Sequence, residues 1–277
     1  MKVRIITGLC MAAVAIPVLL FSQYIVYPIF LSLLCLMATY EMLKTFKKER
    51  CPEIAVPSFL LALFYPLAPY FILRSQDPTR GLVLLVLGLF IYMLYLFTIC
   101  VVHKGKMLLA EVFSTYTTVS YILVGFSSLC FLRYLPFGFY EFLIVFFTAW
   151  GCDIFAYFVG TFIGKHKLIV EVSPKKTVEG AIGGVVCTFA LIMLYGFLVE
   201  RITDAEANYI VLAVLGLVLP VISQVGDLFA SLIKREAGIK DYSHIFPGHG
   251  GVMDRFDSIM AVSVATLIIT MILPPFH

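Results

Sequence analysis

Nine apolar stretches, each about 20 residues long and separated by short polar or charged connections, recur along the 277-residue chain. They lie near residues 5–22, 24–43, 54–73, 81–102, 108–131, 139–163, 178–199, 209–233 and 252–274. A helix of that length crosses a hydrocarbon core roughly 30 Å thick, and only helices or closed barrels satisfy their backbone there. Composition agrees: 61% of residues are hydrophobic, 13% are charged, and the mean hydropathy of +1.01 lies outside the range of soluble domains. The sequence therefore predicts an all-α fold, a polytopic transmembrane helical bundle of about nine spans.

The first two stretches are the weakest. Phe21, Ser22, Gln23 and Tyr24 carry no charge between them, which suits either a tight hairpin tip or the middle of one long tilted helix. Residues 1–20 also resemble a signal peptide, with Lys2 and Arg4 ahead of an apolar core. No small-residue cleavage site precedes the next apolar run, so the segment reads as a retained anchor. Lys and Arg divide sixteen to four between alternate loops when the N-terminus is placed inside, and this accounts for all 20 basic residues. The larger group includes Lys2, Arg4, Lys44, Lys104, Lys106, Lys165, Lys175, Lys234 and Arg255; the smaller is Arg74, Arg80, Arg133 and Arg201. The positive-inside bias thus predicts a cytosolic N-terminus and an outward C-terminus.

Seven cysteines form no CxxC pair and fall mostly within apolar runs, as small apolar fillers would. The net charge of +3 is modest, but its concentration on one face suits anionic lipid head groups and nucleotide phosphates. Nucleic acid is not expected as a partner, because no soluble basic module exists to hold it.

Chemistry is unevenly distributed. Residues 1–135 read as N-terminal transmembrane scaffold, with Glu41 and Glu111 as interfacial or helix-terminal charges, and residues 136–277 as the catalytic region. Within the sixth stretch Trp150, Asp153 and Tyr157 share one helix face. A carboxylate inside a span is costly, so Asp153 should face a wet cavity or a partner, unless it makes a structural hydrogen bond to a neighbouring helix. Downstream, Ser173 before Pro174 suits a helix N-cap with proline at the first helical position. Backbone donors there, with Lys175, Lys176 and Thr177, could bind phosphate, although a capped helix in an ordinary positive-inside loop accounts for the same residues.

Asp227, Ser231 and Lys234 form one stripe on the eighth stretch, with Arg235 beside them. A helical salt bridge would leave Asp227 unexplained two turns from Lys234, which favours a ligand or substrate role. A third cluster runs through Lys240, Asp241, Pro247, Gly248, His249, Gly250, Gly251, Asp254, Arg255 and Asp257. Its glycines permit close backbone approaches of the sort a nucleotide-wrapping loop needs. Asp254 and Asp257 are three apart, so both carboxylates can point into one site, and oxygen-only ligands suit magnesium rather than zinc. Helix-start acids also occur for dipole reasons alone, and His249 could be a phosphate donor or a turn residue.

The segment SLIKREAGIKDYSHIFPGHGGVMDRFDS, residues 231–258, resembles the signature of the phosphatidate cytidylyltransferases, or CDP-diglyceride synthases. The stretch from Trp150 to Gly184, with SPKKT at 173–177 and EG at 179–180, is similar to the same family's pattern. The resemblance implies a CTP-dependent enzyme acting on phosphatidic acid, a homodimer in the cell's inner (plasma) membrane with its site toward the cytosol. It further implies magnesium, with potassium as a second ion. Under it Asp227, Asp254 and Asp257 are the metal-centre and catalytic acids. Lys234 joins them as a catalytic cation, and Ser173, Lys175, Lys176, Thr177, Ser231, Arg235, Lys240, His249 and Arg255 are the expected substrate contacts.

In that chemistry a phosphatidate oxygen attacks the α-phosphorus of CTP and pyrophosphate leaves, so metal and lysines must bring two polyanions together. No protein nucleophile is required, which assigns Ser231 to binding. The rivals are a related cytidylyl or lipid kinase-type enzyme with another lipid acceptor, and a secondary transporter, since intramembrane acids also mark ion pathways. CDP-alcohol phosphotransferases fit less well, for their DGxxAR-type acidic motif is missing.

Overall fold

The computed structural model describes residues 2–103 and 109–277, apart from the side chains of residues 2–5. Lys2, Arg4, Lys104 and Lys106, counted above toward the orientation, and Leu108 at the start of the fifth stretch lie outside the described side chains. The helices are α1 Lys2–Leu20, α2 Val26–Thr45, α3 Pro52–Phe64, α4 Ala68–Ile72, α5 Pro78–Val102, α6 Leu109–Tyr134, α7 Gly138–Phe162, α8 Val178–Ile202, α9 Tyr209–Glu236 and α10 Met253–Ile272. A 3₁₀ turn at Tyr65–Leu67, carrying Pro66, joins α3 to α4. Among the described residues, eight segments are long and apolar enough to cross a membrane, α3 and α4 counting as one. Within α1 the apolar stretch among the fully described residues is Ile6–Leu20. The chain turns at residues 21–25 between α1 and α2, so the long tilted helix considered above does not form.

Local chemistry sets the helix ends. Asp77 accepts the Arg80 N–H at 3.0 Å with Pro78 at the first helical position, and Asn208 accepts the Val211 N–H at 3.3 Å. All seven cysteines are free thiols.

Two compact units emerge, one comprising residues up to Tyr134 together with Ile239–Arg255, the other Leu135–Gly238 with Phe256–His277. In the first, α2 and α6 bury Leu31, Cys35, Ala38 and Met42 with Val119, Ile122, Phe126 and Leu129. Ser58 on α3 hydrogen-bonds the Tyr92 hydroxyl on α5 at 2.8 Å, and Lys48 pairs with Glu111 at 2.8 Å.

The second unit is built on α7, α8 and α9, which meet along small residues. A Cβ on Gly184 of α8 would stand 3.1 Å from the Ala156 Cβ and the Cys152 carbonyl of α7, an approach that larger residues would forbid. Gln224 of α9 donates its amide to the Ala181 carbonyl of α8 at 3.1 Å, fixing the third helix. At the far end the His277 and Glu206 backbones exchange two bonds of 3.0 Å, while buried Phe276 packs edge-on to Tyr140 and Tyr195. At its 28 residues α9 runs about 42 Å, longer than the roughly 30 Å hydrocarbon core, and carries Lys234 and Arg235 in its last turn.

Candidate active site

Four elements of the second unit converge on a set of charges. α9 and α10 touch at Gly226, where a Cβ would come within 2.9 Å of the Ala261 Cβ and 3.0 Å of the Asp257 carbonyl. Because Asp227 directly follows, its carboxylate comes near that of Asp257, which is only 7% exposed, and Asp153 of α7 and Lys234 of α9 also lie within electrostatic reach of it. Lys176 forms an ion pair with the other oxygen face of Asp227, and Ser231 lies 3.5 Å from Asp227 Oδ1. Asp257 Oδ1 also accepts the Ser258 N–H at 2.7 Å. Three acids and two lysines so placed, in a helical membrane unit, are stable only as a mutually compensated set.

Lys176 reaches this position through a hairpin that the sequence reading did not foresee. Ser173–Thr177 is a strand, paired antiparallel with Lys167–Ile169 (Lys167 opposite Thr177, Ile169 opposite Ser173), and α8 starts only at Val178. Ser173 is thus not a helix cap. Thr177 is, its Oγ1 accepting the Gly180 N–H at 3.1 Å. Both residues have capping hydroxyls, but the long, mostly apolar run follows Thr177, whereas the charged SPKKT segment has a partner strand. The phosphate-binding helix start expected at Ser173 is therefore a strand edge. Glu179 fastens the hairpin, accepting the Lys165 and His166 N–H groups at 3.1 and 3.2 Å and bonding His166 Nδ1 at 2.6 Å. Thr177 packs against Gly160, Gly164 and Gly180, whose added Cβ atoms would each approach its hydroxyl within 3 Å. Thr177→Val should accordingly lower stability by about 1 kcal/mol, read as a fall in the thermal midpoint in detergent, while Thr177→Ser keeps the cap.

The PGHGG segment belongs to the first unit. Phe246 and Gly250 bridge in a tight turn, in which His249 N–H donates to the Phe246 carbonyl at 2.8 Å, and Gly250 adopts a φ of +86° that favours glycine. Asp254 Oδ2 accepts the Tyr242 and Gly251 N–H groups, both at 2.9 Å. Glu41, fully buried on α2, accepts Val252 N–H at 3.0 Å, Met253 N–H at 2.8 Å and the Ser243 hydroxyl at 2.5 Å. The reading of Glu41 as no more than an interfacial or helix-terminal charge is corrected here: its carboxyl holds the start of α10. Its partners lie over 200 residues away, so no local pattern could have revealed them.

Of the expected site residues, Asp227, Asp257, Ser231, Lys234 and Lys176 gather in the second unit, while His249 and Asp254 lie in the first. Lys175, Lys240 and Arg255 are exposed, and Arg235 donates to the Val172 carbonyl at 3.4 Å. The Nδ1 of His249 is buried and lacks a hydrogen-bond partner among the described residues.

Among the described residues, no group of three His, Cys, Asp or Glu side chains forms a complete metal-ligand set. An all-protein cage is thus not built here. Magnesium seldom uses one: it takes one or two carboxylates and fills its remaining positions with water and substrate phosphates. The Asp227 and Asp257 pair fits that mode.

Fold and site together define a multi-span membrane enzyme equipped for phosphate and nucleotide chemistry. Residues 2–273 match the cytidylyltransferase family, and the chain belongs to that family. A Staphylococcus epidermidis protein named phosphatidate cytidylyltransferase is 32% identical over 263 residues, covering 95% of this chain and 96% of the relative. Proteins of the same name from Staphylococcus haemolyticus and Staphylococcus aureus are each 33% identical, over 263 and 265 residues, with the same coverage.

Proposed function

We propose that the chain transfers the cytidylyl group of CTP to phosphatidate, giving CDP-diacylglycerol and pyrophosphate in phospholipid biosynthesis. The observation that carries this reading is the meeting of Asp227 and Asp257 with Lys176 and Lys234 in one helical unit of a cytidylyltransferase-family membrane protein. A phosphatidate oxygen attacks the α-phosphorus of CTP. That P–O bond forms as the bond to the bridging β-phosphate oxygen breaks, and pyrophosphate departs.

Lys176 and Lys234 draw the two polyanions together, with Lys175, Arg235, Lys240 and Arg255 as outer phosphate contacts. Ser173, Thr177 and Ser231 orient the phosphates, and the turn at His249 receives the nucleotide. Asp227, Asp257 and Asp254 are the acids that would hold magnesium; Asp254 Oδ2 also organises its own loop. Bound magnesium supplies charge neutralisation on the triphosphate and the leaving group. Potassium would be a second ion held by the same acids. Residues 136–277 carry most of the chemistry on this reading and the earlier spans serve as scaffold, in an inner-membrane homodimer whose site faces the cytosol.

Purified protein given labelled CTP, phosphatidate and magnesium should yield labelled CDP-diacylglycerol and one pyrophosphate per product. Product only with a different lipid acceptor would favour the related-enzyme reading, and no consumption of CTP would reject both. For orientation, cysteines introduced at positions 173 and 249 in a background without native cysteines should resist an impermeant thiol reagent applied to intact cells. Labelling of either from outside would reverse the assigned topology.

A further inference from the structure

We propose that Glu41 is a positioning residue for this reaction, acting through the Ser243–Asp254 segment that carries His249 and Asp254. The start of a helix leaves several N–H groups without intrahelical acceptors, and a Ser, Thr, Asn or Asp at the cap normally takes one of them. The chain offers Gly251, Val252 and Met253 at this point, and none has a side-chain oxygen. Two carboxyl groups, the nearby Asp254 and the distant Glu41, take the role instead. Gly251 N–H goes to Asp254, then Val252 and Met253 N–H go to Glu41, so three successive amides end on acids.

Gly251 completes the fit, because a Cβ there would stand 2.3 Å from Glu41 Oε1. Glu41 also takes the Ser243 hydroxyl, thereby closing the segment at both ends. An ionisable group fully buried in a membrane helix is expensive, and fixing a helix start alone could be done by a serine at position 252. What Glu41 adds is a fixed anchor on α2 for both ends of a glycine-rich turn. A displacement of about 1 Å in such a segment suffices to cost on the order of 100-fold in rate.

The inference rests on the reaction assigned above, and its test separates the two. Glu41→Gln keeps shape and one acceptor oxygen, Glu41→Asp keeps both oxygens on a shorter arm, and Glu41→Ala keeps neither. Hydrogen exchange of fragments spanning 242–254, measured on full-length protein in detergent without substrate, should accelerate in Gln and Ala but less in Asp. In the same preparations kcat per folded molecule should fall about 100-fold for Gln and Ala, with partial rescue in Asp. Wild-type kcat in the folded fraction of Gln and Ala, even where yield drops, would overturn the proposal. So would a fall in kcat with unchanged exchange at 242–254. Wild-type protein that makes no CDP-diacylglycerol would instead overturn the assigned reaction, a result independent of the exchange data.

Discussion

Asp257→Asn should lower turnover by on the order of 100- to 1,000-fold while the protein still inserts and folds. The side chain is nearly isosteric, and the hydrogen bond it accepts from Ser258 N–H needs only an oxygen acceptor that asparagine retains. What disappears is a carboxyl able to give a cation an anionic oxygen, at a buried position near Asp227, Asp153 and Lys234. Asp254→Asn should also lose turnover, but Asp254→Ala should lose loop order with it, since Oδ2 holds the Tyr242 and Gly251 amides. Steady-state rates beside thermal midpoints and membrane yield distinguish these cases. Near-normal activity of either asparagine variant at ordinary magnesium would remove that residue from the catalytic site.

The second large effect is expected at the Lys176 and Asp227 ion pair. Asp227→Asn weakens a ligand for a hard cation, so its loss of activity should be accompanied by a raised magnesium requirement. Lys176→Met removes a phosphate-directed charge and also leaves Asp227 without its observed partner; excess magnesium should not restore it. Because the two side chains touch, the double variant should fall short of the summed single losses by roughly 0.5–3 kcal/mol. Strict additivity would mean that the pair does not act as a unit. Lys234→Ala belongs with Lys176→Met in its indifference to magnesium, and Ser231→Ala should stay partly active, as befits a residue that positions phosphate rather than attacks it.

These expectations depend on which features local sequence could reveal. The spans were legible because roughly 20 apolar residues between charges leave one economical structure in a bilayer. Asp227, Ser231 and Lys234 fall on one stripe because a helix of known period carries them, and that period needs no tertiary information. Lys176 was legible as a phosphate-seeking cation but not as the partner of Asp227, which lies 51 positions further along the chain on another element. Ser173 and Thr177 competed as caps on equal local chemistry, and only strand pairing with Lys167–Ile169 decides between them. Glu41 was the hardest to read. Its donors are backbone amides over 200 residues downstream, and an amide donor leaves no mark in the amino-acid code.

The central claim is that phosphatidate attacks CTP directly across the acid and lysine set, with no cytidylyl group passing through the protein. A CTP analogue made chiral by sulfur at the α-phosphorus tests this in one measurement. Direct displacement predicts CDP-diacylglycerol with inverted configuration at that phosphorus, whereas net retention would require two displacements and a covalent enzyme intermediate, contradicting the account.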